Sequence, residues 1–134
     1  MPEPKRVRWI GSSLRDLKGF PEDARREVGN ALYQAQLGEK HPKSKTLKGF
    51  HGASVLEIVD DFDTDTYRAI YTVRFEEAIY VLHCFQKKSK SGITTPKQDM
   101  ELIDKRLKLA EKEHMEWQRL QHEQETKQLK APKK

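Results

Sequence analysis

Between residues 55 and 86 the chain holds three runs rich in β-branched and aromatic residues, Val55–Phe62, Tyr67–Phe75 and Ala78–Gln86. Short polar breaks, Asp63-Thr64-Asp65 followed by Thr66, and Glu76-Glu77, separate them. Breaks this short leave no room for the crossover that a parallel pair needs, so the runs predict an antiparallel three-stranded meander. Whatever else the chain forms must cover that sheet.

The flanks supply helices. Val7 to Ile10 reads as a short strand stopped by Gly11, and Ser12 or Ser13 can cap a short helix that Gly19 ends. Pro21 suits a first helical position, with Glu22 and Asp23 at the positive end of the dipole. Ala24, Val28, Ala31, Leu32 and Ala35 follow at helical spacing as far as Gly38. His41 to Gly49 is a basic connector carrying Lys43, Lys45 and Lys48. Thr95, Pro96 and Gln98 form a cap, first-turn proline and reciprocal glutamine for a last helix. Met100, Ile103, Leu107, Ala110, His114 and Trp117 make its apolar stripe, which fades near Gln121. The expected order is β-α-α-β-β-β-α. The class is α+β, with helices packed on one face of a small, mainly antiparallel sheet. Residues 1–120 form one domain and residues 121–134 a polar, frayed tail.

Charge is unevenly spread. The net charge is +5, and residues 1–50 carry eleven Lys/Arg against six Asp/Glu, which points toward an anionic partner such as nucleic acid. Cys84 is the only cysteine, and no secretory leader or membrane-length apolar run is visible, so a reducing cytosol is expected. The five histidines, His41, His51, His83, His114 and His122, are scattered without zinc-like spacing, and the glycines are isolated. No metal and no cofactor is therefore expected.

If Glu76-Glu77 is a two-residue hairpin loop, Phe75 pairs with Ala78 and Arg68 lies opposite Phe85. Arg68, His83, Phe85 and Lys87 then share one face at the open end of the hairpin. A one-residue slip would exchange Lys87 for Lys88. Such a cationic cluster can stabilise the extra negative charge of a phosphorane, the demand made when an RNA 2′-hydroxyl attacks its own phosphate. The competing reading is a solvated strand end, paired with Asp63 or Asp65. Lys43, Lys45 and Lys48 can reach a nucleic-acid backbone or simply keep a loop soluble. Arg106 can point back to the sheet or into solvent. His83, Tyr71 and Tyr80 read as core, and Arg74 as a partner of Glu76. Glu57 can anchor the cations or accept a proton, and the anchor is favoured.

Three segments resemble a known family. TLKGFHGASVLEI, TYRAIYTV and YVLHCFQKKSKSGITTPKQDMELIDKRL are similar to the RelE superfamily of bacterial toxins, in its HigB-like, phage-derived branch. The carrying features are Glu57, the arginine after an aromatic (Arg68), the Phe-x-Lys-Lys strand end with Lys87 and Lys88, the Thr-Pro helix start and Arg106. The resemblance implies a RelE-like fold and the toxin of a toxin–antitoxin pair. It further implies a metal-independent endoribonuclease cutting mRNA on the ribosome, with Arg68, Lys87 and Lys88 at the phosphate. A small antitoxin, helix-turn-helix in type, is the implied partner. The run Ile58 to Asp63 departs from the pattern, being acidic where that branch carries another basic residue. Either those aspartates sit at a solvent edge or the nuclease is weakened. Two alternatives follow: an inactive binding module of the same fold, and a DNA-binding or structural protein that uses its C-terminal helix.

Overall fold

The computed structural model describes residues 3–50, 52–62, 65–87 and 95–130. The elements run β1 (Arg6–Trp9), α1 (Ser13–Lys18), α2 (Glu22–Gln36), β2 (Ser44–Thr46), β3 (Val55–Phe62), β4 (Asp65–Thr72), β5 (Ala78–Lys87) and α3 (Lys97–Lys130). The class is α+β, as the sequence predicts. The five strands are ordered β1-β5-β4-β3-β2. The meander β3-β4-β5 is antiparallel, β2 adds antiparallel to β3, and β1 lies parallel to β5.

The basic connector was expected to be a loop, but Ser44–Thr46 is a strand. Ser44 pairs with Ile58, and its hydroxyl accepts a 2.7 Å hydrogen bond from the Tyr71 hydroxyl, so a polar residue is drawn into the sheet edge. The loss of solvation at the buried phenol is met by that bond.

The helices occupy both faces of the sheet rather than one. On the first face α1, α2 and the link between them bury Leu17, Phe20, Ala24, Val28, Ala31, Leu32 and Ala35 against Leu56, Ile58, Ala69, Tyr71, Ile79 and Val81. On the second, Ile103, Leu107 and Ala110 of α3 pack on Val55, Ile70, Tyr80 and Leu82. Alternate residues of β4 and β5 thus enter opposite cores, which is why these strands read as unbroken apolar runs. Burying both faces of Ile70, Tyr71, Tyr80 and Val81 contributes about 1.5–3 kcal/mol for each large apolar side chain.

The β4–β5 connection is longer than expected. Residues 73–77 link the strands, Phe75 does not pair with Ala78, and Thr72 stands opposite Tyr80. One extra residue in β5 then restores the expected pairing. Tyr71 faces Val81 but Ile70 faces His83, so Leu82 is bulged out and Arg68 still meets Phe85. The bulge also turns two successive residues, Leu82 and His83, toward α3. Arg74 bonds Ser54 and pairs with Glu111 of α3 rather than with Glu76.

Near Gln121 the helix does not fray: α3 runs on to Lys130, 34 residues and roughly 50 Å in all. Its far part is held by local pairs such as Arg119–Glu123 and Thr126 to the His122 carbonyl. Among the described residues, no helix is long and apolar enough to cross a membrane.

Candidate functional site

The α3-facing side of the sheet carries three rows of side chains at its open end. Lys45 of β2 is opposite Glu57 of β3; Val59, Arg68 and Phe85 form the next row across β3, β4 and β5; Asp61, Thr66 and Lys87 form the last. Arg68 and Lys87 therefore share a face, one row apart on neighbouring strands. Lys88 lies outside the described residues.

Arg68 is only 3% exposed. Its Nη1 donates to Thr95 Oγ1 at 3.2 Å and lies 3.5 Å from Glu57 Oε2. Burial pushes the Glu57 carboxyl above the usual glutamate range, while the charges of Arg68 and Lys45 oppose the rise. Glu57 thus pairs with Arg68 inside the cluster. The row arrangement leaves Lys45 exposed at the edge and Lys87 half-buried at the strand end.

The bulged strand builds a second network beside the first. His83 Nε2 is 2.8 Å from Asp99 Oδ1, and its Nδ1 is 3.4 Å from Arg106 Nη1. A guanidinium can only donate, so Nδ1 accepts and Nε2–H donates to the carboxylate. The ring stacks on Phe85 at 4.6 Å between centroids and 15° between planes. Arg106 also donates to the Leu82 carbonyl at 3.0 Å and to Ser12 Oγ at 3.2 Å. It therefore ties α3 to β5 and to the turn before α1. Of its two expected orientations it takes the one toward the sheet, and three of its five N–H donors are engaged there.

The connector lysines separate. Lys43 Nζ lies 3.6 Å from Asp60 and 4.0 Å from Glu27 of α2, on the opposite side of the sheet from Arg68. Lys45 shares the face of Glu57. Lys48 is exposed in the turn before Gly49. The acidic run divides as well: Asp60 pairs with Lys43, and exposed Asp61 accepts from Thr66 Oγ1 at 3.0 Å.

Thr95 and Asp99 belong to the site, but the sequence marks Thr95 only as a helix cap and does not single out Asp99. Their partners Arg68 and His83 are 27 and 16 residues away, and no local spacing rule links them. Among the described residues, no group of three or more His, Cys, Asp or Glu is placed to hold a metal ion.

Comparison with known proteins decides the family. The profile described as "Phage derived protein Gp49-like (DUF891)" matches residues 15–108. The chain belongs to this Gp49-like family. The Gp49-like region runs from α1 into the first turns of α3, so it takes in Lys43, Lys45, Lys48, Glu57, Arg68, Lys87, Lys88 and Arg106. It leaves out β1 and the long remainder of α3. Among solved structures, a chain of the RelBE2 toxin–antitoxin complex from Mycobacterium tuberculosis aligns with 20% identity, covering 66% of this Gp49-like chain and 98% of its own length, at a TM-score of 0.42. No curated protein matches.

Proposed function

We propose that this Gp49-like protein is the toxin of a toxin–antitoxin pair and acts as a metal-independent endoribonuclease on mRNA, in the cytosol and on the ribosome. The observation that carries the reading is the shared face of Arg68 and Lys87 at the open end of the β4–β5 hairpin, bordered by Lys45. In this reading Arg68, Lys87 and Lys88 hold the scissile phosphate. The RNA 2′-hydroxyl attacks the phosphorus, the bond to the 5′-oxygen breaks, and the cations stabilise the phosphorane between. Glu57 and Thr95 fix the Arg68 guanidinium, so the charge is already oriented when RNA arrives. Lys45 and Lys48 meet the flanking backbone, with strongly salt-dependent binding. Lys43 and Arg106 support this less, because each is held by its own partners. The family resemblance supplies the remaining partner, a small antitoxin of helix-turn-helix type.

A second reading is an inactive module of the same fold that binds such a partner. The burial of Arg68 favours it, since a guanidinium 3% exposed must be uncovered before it meets a phosphate.

Induction in a bacterial host, with mRNA 5′ ends mapped, separates the two. The natural chain, a Lys87→Ala, Lys88→Ala variant and an Arg68→Lys variant are compared, each checked for folding by circular dichroism. Growth arrest with new 5′ ends, lost in the folded variants, supports the nuclease. A folded natural chain that causes neither arrest nor new ends leaves the binding module.

A further inference from the structure

β1 accompanies β5 only from Ala78 to Val81. There the Ile10 amide and the Ser13 hydroxyl both bond the Val81 carbonyl, and the chain turns into α1. Residues 83–87 of β5 continue past the end of β1 on that side. A cavity of about 430 Å³ lies there, lined by Arg15, Asp16, His83, Phe85 and Gln86 among others. Its size falls within the roughly 300–1,000 Å³ of small-molecule sites. It adjoins the proposed phosphate site, because Phe85 on its wall is the residue opposite Arg68, and Lys87 follows two residues on.

The lining is suited to a flat heterocycle. Phe85 is backed by the His83 ring, so its plane is held at the cavity wall. Asp16 is half-buried; its Oδ2 accepts from Ser12 at 2.7 Å, and its remaining lone pairs can accept further donors. Gln86 commits its amide nitrogen to Asp65 at 2.7 Å, leaving its oxygen as an acceptor. Arg15 is exposed and has no ion pair among the described residues. Acceptors thus face the ligand beside one guanidinium. Among nucleobases, guanine alone presents two adjacent donors, N1–H and the N2 amine, with acceptors O6 and N7 beyond them. Adenine and cytosine place an acceptor next to their amine, and uracil has one donor between two acceptors. Unstacked bases of single-stranded RNA are read in this way, by aromatic walls and by bonds to their edges.

We propose that this cavity is a nucleobase subsite selecting guanine next to the scissile phosphate. Asp16 accepts from N1–H and the N2 amine, Arg15 donates to O6 or N7, and Phe85 forms the wall. The assignment rests on the endoribonuclease reading.

The test is a titration followed by amide NMR, with guanosine 3′-monophosphate and, separately, the adenosine, cytidine and uridine 3′-monophosphates as probes. Guanosine 3′-monophosphate should shift the amides of residues 15–20 and 83–86 and bind at least about tenfold more tightly than the other three. Asp16→Asn should abolish that preference with the spectrum otherwise retained. Should Asp16→Asn fail to fold, Arg15→Ala, at an exposed position, must weaken guanosine 3′-monophosphate binding by about tenfold. Shifts elsewhere, equal affinities for all four, or a preference untouched by the folded variants would overturn the subsite. The titration needs no cutting, so its failure leaves the nuclease reading standing. Absence of new mRNA ends sinks that reading without touching the titration.

Discussion

Arg106 lies so close to Gly11 that a Cβ on the glycine would stand 2.9 Å from the guanidinium carbon. The contact joins α3 to the turn after β1 across 95 residues of chain. Gly11 also has φ +57°, in the left-handed region that side chains rarely adopt. Gly11→Ala should therefore cost about 1–3 kcal/mol, from the backbone penalty and the displaced arginine together. A urea-denaturation midpoint equal to that of the natural chain would show that the turn relaxes freely.

His114 is a second fastening of α3. Its ring is 2% exposed, bonded to the Tyr80 hydroxyl at 3.1 Å and to Glu77 Oε1 at 3.0 Å, and stacked between Phe75 and Trp117. His114→Ala leaves the Tyr80 hydroxyl without its ring partner and opens a cavity, so a loss of about 2–4 kcal/mol is expected. Thermal unfolding followed by circular dichroism measures it, and a shift within error would mean that Glu77 and the aromatic rings close the gap.

Glu57 ties stability to pH. Its folded-state carboxyl titrates above the unfolded value because it is buried, so the folded chain holds the proton more firmly. The stability it contributes is complete below the unfolded glutamate range and is lost as pH rises through the folded value. Relative to Glu57→Gln, the natural chain should lose stability through the interval just above the ordinary glutamate range. Parallel denaturation free energies for the two chains across that interval would count against the burial of this carboxyl.

Cys84 should be chemically silent in the folded chain. Burial pushes its thiol up to about 12, so almost no thiolate exists near neutral pH. A chromogenic disulfide reagent at pH 8 should react slowly with the native protein and titrate one thiol after denaturation. Fast stoichiometric labelling of the native chain would contradict the packing.

The far end of α3 should be dispensable for folding. Residues 121–129 are exposed apart from Thr126, and Gln118, which donates to Glu77 at 3.2 Å, precedes them. Removing residues 122–134 should change the unfolding free energy by less than about 1 kcal/mol while lowering helical ellipticity. A large drop in stability would reveal a tertiary role for this segment.

The sequence by itself determined the meander, the two N-terminal helices and the start of α3, because each is written in local signals: runs with short polar breaks, Pro21 at a helix entry, and Thr95-Pro96. It also carried the pairing of Arg68 with Phe85, although by way of a hairpin loop that does not exist. Tertiary structure decided the rest. The bulge at Leu82, which offsets the longer turn and aims His83 at Asp99, arises from packing between β5 and two different layers, and no alternation pattern records it. Which lysine shares the face of Arg68 followed the same rule: Lys43 and Lys45 are two residues apart, yet Asp60 and Glu27 draw Lys43 to the α2 side. The continuation of α3 beyond its apolar stripe rests on local charge pairs, a weaker signal than burial. Burial of Arg68 beneath Thr95 depends on α3 crossing the open end of the sheet, and residues 27 positions apart acquire that relationship only when the chain closes on itself.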